Sequence, residues 1–277
     1  MAQVARLPIP EAIRFVYPMK TKSVSVTGSK CELNCAHCGG HYLKHMKPLE
    51  TMLTAGADTS ASWLVSGGCK ADGTVPIADH MDKLAEIKQS KRFNMHVGLI
   101  GQATIDKLAA VADCVSFDFV ADNATIKEVF GLSSTAEDYV ACYQALQRKV
   151  KVMPHICIGL KGGEICGEYR ALELLKELGA PALTFIIFIP TRGTRFADRQ
   201  PPALADTAKL LSYARLTFPD IPLHLGCMRP GGRYREELDK WAVRSGFDVI
   251  VNPAPAAVSL AENLGLAITR GEECCVL

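Results

Sequence analysis

The stretch ALELLKELGAPALTFIIFIP, Ala171–Pro190, holds one complete helix-to-strand step. Leu172, Leu174, Leu175 and Leu178 recur at helical spacing, and Gly179 stands where that helix must stop, with Pro181 just beyond. Leu183–Ile189 follows as a run rich in Ile and Phe that does not alternate with polar residues. Such a run reads as a strand buried on both faces, as in a parallel sheet covered by helices. Ala180–Pro190 is the longest strongly apolar stretch. It is about half of the roughly 20 residues a membrane-spanning helix needs.

The same step repeats in both directions. Further strands are expected at Lys22–Thr27, Trp63–Ser66, Met95–Ile100, Cys114–Phe119, Lys151–Ile158, Leu223–Gly226 and Asp248–Val251. Helical patterns lie at Ile77–Lys91, Ala136–Lys149, Gly167–Leu178, Leu204–Leu216, Tyr234–Arg244 and Ala254–Leu264, and Thr135 with Asp138 forms a capping pair. Strands alternating with helices imply a parallel sheet with right-handed crossovers. The expected fold is therefore α/β, a (β/α)8 TIM-type barrel formed by residues 1–277 as one domain, with 265–277 as a tail that folds back over the active site. An open doubly wound sheet shares the alternation. A barrel places its chemistry at the C-terminal strand ends. Gly, Cys and polar residues do gather there: Cys31–Gly40, Ser66–Cys69, Asp118–Asn123, Gly159–Glu164, Thr191–Thr194 and Cys227–Gly232.

Composition narrows the function. With 31 Lys+Arg against 29 Asp+Glu, the net charge of +2 offers no electrostatic footprint for nucleic acid or a membrane surface. The first residues, MAQVARLPIPEAIRF, lack the apolar core of a signal peptide, so a cytoplasmic location is expected. Eleven Cys are the outlier. An odd number in a chain of this length, with no export signal, speaks for metal or redox chemistry rather than a disulfide framework.

Three of them stand in Cys31-Glu32-Leu33-Asn34-Cys35-Ala36-His37-Cys38, directly after the first of these strands. Thiols at C-x3-C-x2-C on one short loop can converge on one metal centre. A closed zinc site takes four ligands, and His37, His41 and His45 are the nearby fourths. An iron–sulfur cubane held by three Cys keeps one iron for a ligand from outside the protein. Both readings stay open on spacing alone.

This pattern after a first β-strand resembles the signature of the radical S-adenosylmethionine superfamily, and later segments follow in that family's order. Ser66-Gly67-Gly68 resembles the glycine motif at the methionine end of the cofactor, although Cys69 stands where many members carry Glu. Asp118 resembles the ribose-binding polar residue, and Ile158–Glu164, with Gly159 and Glu164, resembles the segment beside the adenine. Pro190-Thr191-Arg192-Gly193-Thr194 resembles an element of the biotin synthase and lipoyl synthase group. The resemblance implies a [4Fe–4S] cluster on Cys31, Cys35 and Cys38, S-adenosylmethionine as cofactor with His37 nearby, and a 5′-deoxyadenosyl radical that removes a hydrogen from an unactivated carbon. It also implies an electron donor such as ferredoxin or flavodoxin, a small-molecule or carrier-bound substrate, and a partner radical enzyme if the chain resembles the two-component lipoyl synthases.

Among the other cysteines, Cys142 reads as packing in a helix and Cys114 as strand core. Cys227, with the adjacent Cys274 and Cys275, supplies thiols for a second iron–sulfur cluster if the tail folds back; the related sulfur-inserting enzymes use such a cluster as sulfur source. Cys69 and Cys166 are reserve ligands. His155, Arg192 and Arg229 are candidate substrate contacts, the arginines as clamps for a carboxylate or phosphate. The competing readings are a single-cluster rearrangement or cofactor-assembly enzyme, and a zinc-binding barrel without catalysis.

Overall fold

The computed structural model describes residues 10–54, 58–88 and 91–277. The described residues form eleven strands: β1 Ala12–Val16, β2 Thr21–Ser25, β3 Lys47–Pro48, β4 Ser62–Ser66, β5 Arg92–His96, β6 Cys114–Asp118, β7 Val152–Ile158, β8 Leu183–Ile187, β9 Leu223–Leu225, β10 Val249–Val251 and β11 Ala267–Gly271. Every ladder is parallel, in the order β11-β1-β10-β9-β8-β7-β6-β5-β4-β2-β3. The helices are α1 Leu49–Thr54, α2 Met81–Lys88, α3 Gln102–Ala109, α4 Asn123–Thr125, α5 Ala136–Gln147, α6 Glu168–Glu177, α7 Leu204–Thr217, α8 Gly232–Arg244 and α9 Pro255–Asn263.

The eight expected strands are all found, each within a few residues of its expected bounds. The barrel, expected complete or nearly complete, is a half-barrel of the TIM type, with no ladder joining β11 to β3 among the described residues. Lys20 ties the sheet's two arms together: its N–H donates to Glu272 O after β11 (2.8 Å), while its carbonyl accepts from Ala61 N (3.0 Å) and Ser62 N (3.2 Å) at the start of β4.

Local chemistry explains the elements. Gly179 takes φ +67° and Ala180 N reaches back to Leu175 O (2.9 Å), closing α6 where the sequence demanded a stop. Thr135 N donates to Asp138 Oδ2 (2.8 Å) and caps α5. The strands bury one face against the helices: Phe117 of β6 packs beside Tyr139 and Tyr143 of α5, and Trp63 stacks on Phe93 at 5.5 Å. With a period of two, Ser116 and Asp118 then face the interior. Solvent reaches that interior, because Leu64, Ser66, His96, His155, Cys157 and Ile186 are half-buried while their strand neighbours are buried. The inner face is therefore a lumen and not a filled core.

The tail does not cross the rim where the Cys31 loop lies. β11 ends at Gly271 beside Val16, the last residue of β1, and from there the chain of β1 turns directly into β2 at Thr21, so β11 delivers the tail to the N-terminal ends of β2, β5 and β7. Cys274 N donates to Thr21 Oγ1 (2.7 Å), Lys151 Nζ donates to Val276 O (2.8 Å), and Arg92 pairs with Glu273. Val276 is buried against Cys114, Met153 and Ala182, and Cys275 packs on Val16, Val249 and Val251. The tail floors the lumen.

Candidate active site

The loop after β2 carries Cys31, Cys35 and Cys38, all half-buried. Asn34 (φ +48°) and Gly39 (φ +52°) supply the left-handed turns that curl it. Ala36 N donates to Val129 O (2.8 Å) and Phe196 N to Ala36 O (3.0 Å), which pin its middle to two other loops. Val129 belongs to a single π-helical turn, Ile126–Phe130, that continues α4. Such turns are frequent at functional sites. Phe130 meets the His37 ring edge-on at 6.1 Å.

The loop after β4 closes against it. A Cβ on Gly68 would lie 2.0 Å from Lys30 O and 2.6 Å from Cys31 Cβ, so only glycine fits. Gly68 N donates to Thr27 Oγ1 (2.7 Å), and Glu32 N to Cys69 O (2.8 Å). Gly67 has its own tight neighbours in Val26 and Thr27, and Ser66 Oγ donates to His96 O (3.0 Å). Cys35 is pushed up to about 12 by burial first, then by the nearby Cys69, Cys38 and Cys31 thiols. The four thiols thus share one neighbourhood, although no three Cys, His, Asp or Glu side chains among the described residues meet at one point as ligands of a single ion would.

Asp118 ends β6 inside the lumen. Its Oδ2 lies 3.2 Å from His96 Nε2, with side chains 46% and 33% exposed, and the His96 ring stacks on His155 at 5.9 Å. Burial opposes the Asp118 charge, but the His96 imidazolium outweighs it and holds the carboxyl at about 2. Burial likewise opposes charge on His96, and Asp118 overcomes it, so His96 titrates above its ordinary range. His155 has the opposite fate: burial, then His96, lowers it to about 4, with Nδ1 against Met153 O at 3.0 Å. His37 is lowered to about 4 by burial. Asp118 Oδ1, His37 Nδ1, Thr184 Oγ1 and His224 Nδ1 are buried without a hydrogen-bond partner among the described residues.

Gly159 (φ +74°) turns the chain after β7, with Pro202 where a Cβ would go. Its N–H donates to Glu168 Oε1 (2.7 Å), and Cys166 N donates to Oε2 (2.8 Å). Glu164, the expected cofactor contact, is exposed in the turn opposite Lys161; the buried carboxylate that shapes this segment is Glu168. Arg192 is exposed on its loop.

Arg229 is not a substrate clamp. Its Nε donates to Asp239 Oδ1 (2.7 Å) and its Nη2 to Oδ2 (2.8 Å), and both side chains are 0% exposed. Nη1 also donates to Gly226 O (2.6 Å), so the guanidinium is consumed in fixing the end of β9 to α8. Cys227 follows there, open to solvent yet enclosed, and its charge neighbours include Cys274; those of Cys275 include Cys227. Asn94 Nδ2 lies 3.5 Å from Cys274 Sγ, and Ser116 Oγ donates to Asn94 Oδ1 (3.0 Å). The sequence reading missed Asn94, His96, Thr184 and His224. Asn94 and His96 stand two apart on β5, the same period that places Ser116 and Asp118, and that spacing was the available signal.

No protein-family model and no curated protein matches the chain. Solved structures do. Methylornithine synthase (PylB) superposes with a TM-score of 0.64 at 14% identity, covering 94% of this chain and 84% of its own. SuiB of Streptococcus suis bound to S-adenosylmethionine gives 0.57 at 15% identity, covering 85% of this chain and 58% of its own. An HMG-CoA lyase from Acinetobacter baumannii, in complex with coenzyme A and 3-methylmalate, gives 0.53 at 12% identity over 95% of this chain and 87% of its own. Identities this low establish a shared parallel α/β barrel-type fold and leave the chemistry to the residues of the site.

Proposed function

We propose that the chain is a radical S-adenosylmethionine enzyme. The observation that carries this reading is the Cys31–Cys38 loop at the C-terminal rim, its three thiols in one neighbourhood above a lumen whose wall bears the unpartnered Oδ1 of Asp118. SuiB, which shares the fold, was solved bound to S-adenosylmethionine. The donor set fits a cubane better than a single ion: soft thiolates select iron–sulfur clusters, and thiols dispersed around the curl of a loop suit a centre several ångströms across.

In this reading Cys31, Cys35 and Cys38 hold the [4Fe–4S] cluster. The cluster with its cofactor supplies one-electron cleavage of a sulfonium, giving the 5′-deoxyadenosyl radical for hydrogen abstraction. The other steps fall to the protein. Gly68 lets the β4 loop approach the cradle closely, and Ser66 and Gly67 hold its path. Asp118 Oδ1 accepts a ribose hydroxyl while His96 fixes the carboxylate's orientation. Gly159 and Glu168 shape the wall beside the adenine, and His37 covers the cradle. With cofactor and substrate filling it, the lumen would exclude water from the reacting carbon and limit side reactions. His155, neutral at physiological pH, presents its Nε2 to the substrate, and a donor of the ferredoxin or flavodoxin type supplies the electron.

The finer reading is sulfur insertion of the lipoyl or biotin kind, with Cys227, Cys274 and Cys275 on a second cluster. Its support is the tail, which brings Cys274 and Cys275 into the lumen and near Cys227. The test of the general reading is formation of 5′-deoxyadenosine from S-adenosylmethionine by the anaerobically reconstituted, dithionite-reduced protein. A colourless zinc protein that makes none overturns it.

A further inference from the structure

A cavity of about 540 Å³ opens behind the Cys31 loop, between the loops after β2 and β4, the start of α1 and the turn at Asp79–His80. Both Cys31 and Cys69 line it. This edge of the cradle is therefore open to solvent, unlike the edge pinned by Val129 and Phe196. Cys69 is the thiol outside the triplet that shares this cavity with Cys31. Its backbone is fixed there by the Glu32 N–Cys69 O bond of 2.8 Å and by the steric lock of Gly68 on Cys31. A cubane has four irons, and the triplet serves three of them.

We propose that Cys69 is a displaceable fourth ligand, which caps the remaining iron while S-adenosylmethionine is absent and shields it from oxidants entering through the cavity. The proposal rests on the iron–sulfur reading above. As Cys69 binds, its thiol gives a proton to solvent and its Sγ bonds to iron. As the cofactor binds, that Fe–Sγ bond would break and the cofactor's methionine end would take the iron in its place, the departing thiolate taking up a proton to match the one shed by the incoming ammonium. No electron changes hands, so the exchange leaves the cluster's oxidation state untouched.

The experiment compares wild type, Cys69→Ala and Cys69→Ser after anaerobic reconstitution, treated with one equivalent of ferricyanide with and without S-adenosylmethionine. Paramagnetic resonance of the three-iron cluster and iron analysis read the loss. Without cofactor, wild type is expected to keep its four irons, whereas both variants lose one iron per cluster and show the three-iron signal; added cofactor protects the variants. Equal iron loss in wild type and both variants overturns the Cys69 proposal while leaving the cluster in place. A wild type that takes up no cluster overturns the reading beneath it as well.

Discussion

Replacing Arg229 by Ala separates a structural arginine from a substrate clamp. The wild-type guanidinium makes two hydrogen bonds to Asp239 at 2.7 and 2.8 Å, one to Gly226 O at 2.6 Å and one to Asn252 O at 3.2 Å. The variant leaves the Asp239 carboxylate buried, with only Ala254 N at 2.8 Å as partner among these groups. Stripping one member from a fully buried pair costs about 3–5 kcal/mol, because the other charge is left unpaired. Domains of this kind have about 5–15 kcal/mol in total, so the loss should lower the melting temperature by on the order of 10 °C. Urea unfolding followed by circular dichroism reads the effect. Arg229→Met combined with Asp239→Leu removes both charges and should recover most of the loss, since apolar replacements of buried pairs are often neutral. A single variant within about 1 kcal/mol of wild type, below the range for breaking a buried pair, would refute this reasoning. So would a double variant no more stable than the single.

Gly68→Ala should abolish cluster loading, as the new Cβ would meet backbone at 2.0 Å, and iron per chain after reconstitution checks it. His96 should titrate above the ordinary imidazole range and fall in Asp118→Asn, where burial is opposed only by the weaker pull of Cys274; the NMR shift of its ring proton against pH reports both. By linkage, the stabilisation from a raised His96 is fully present below its ordinary value and is lost as pH rises through the raised one. The Asp118 contribution is present above the usual carboxylate range and is lost only as pH falls through about 2. Thr21→Val strips the acceptor from Cys274 N and should cost about 1–3 kcal/mol, with faster hydrogen exchange at Cys274 and its neighbours.

The alternation of strands and helices was legible because each step carries its own punctuation, as at Gly179. The strands β1 and β11 were not. AIRFV follows two prolines and AITRG lies on an exposed sheet edge, so neither has the apolar run that marked the central strands. The cysteine triplet could be read from spacing because its ligands are local in the chain. Arg229 was misread for the opposite reason: its partner Asp239 lies across a loop, and sequence shows a charge without showing what neutralises it. Glu164 and Glu168 illustrate the same limit, since only the fold reveals that α6 buries the second while the turn before it exposes the first. The lumen histidines needed the strand period to be applied to polar residues as well as apolar ones.

Iron and sulfide per chain after anaerobic reconstitution test the central claim most directly, in wild type, in the Cys31→Ala/Cys35→Ala/Cys38→Ala variant and in the Cys227→Ala/Cys274→Ala/Cys275→Ala variant. A cubane at the rim predicts about four irons and four sulfides that vanish with the first variant. A second cluster predicts about four more that vanish with the tail variant alone. Iron content unchanged by the tail variant would remove the second cluster and leave the first. Iron and sulfide that persist without Cys31, Cys35 and Cys38, or that never appear in wild type, would contradict the assignment of the rim loop itself.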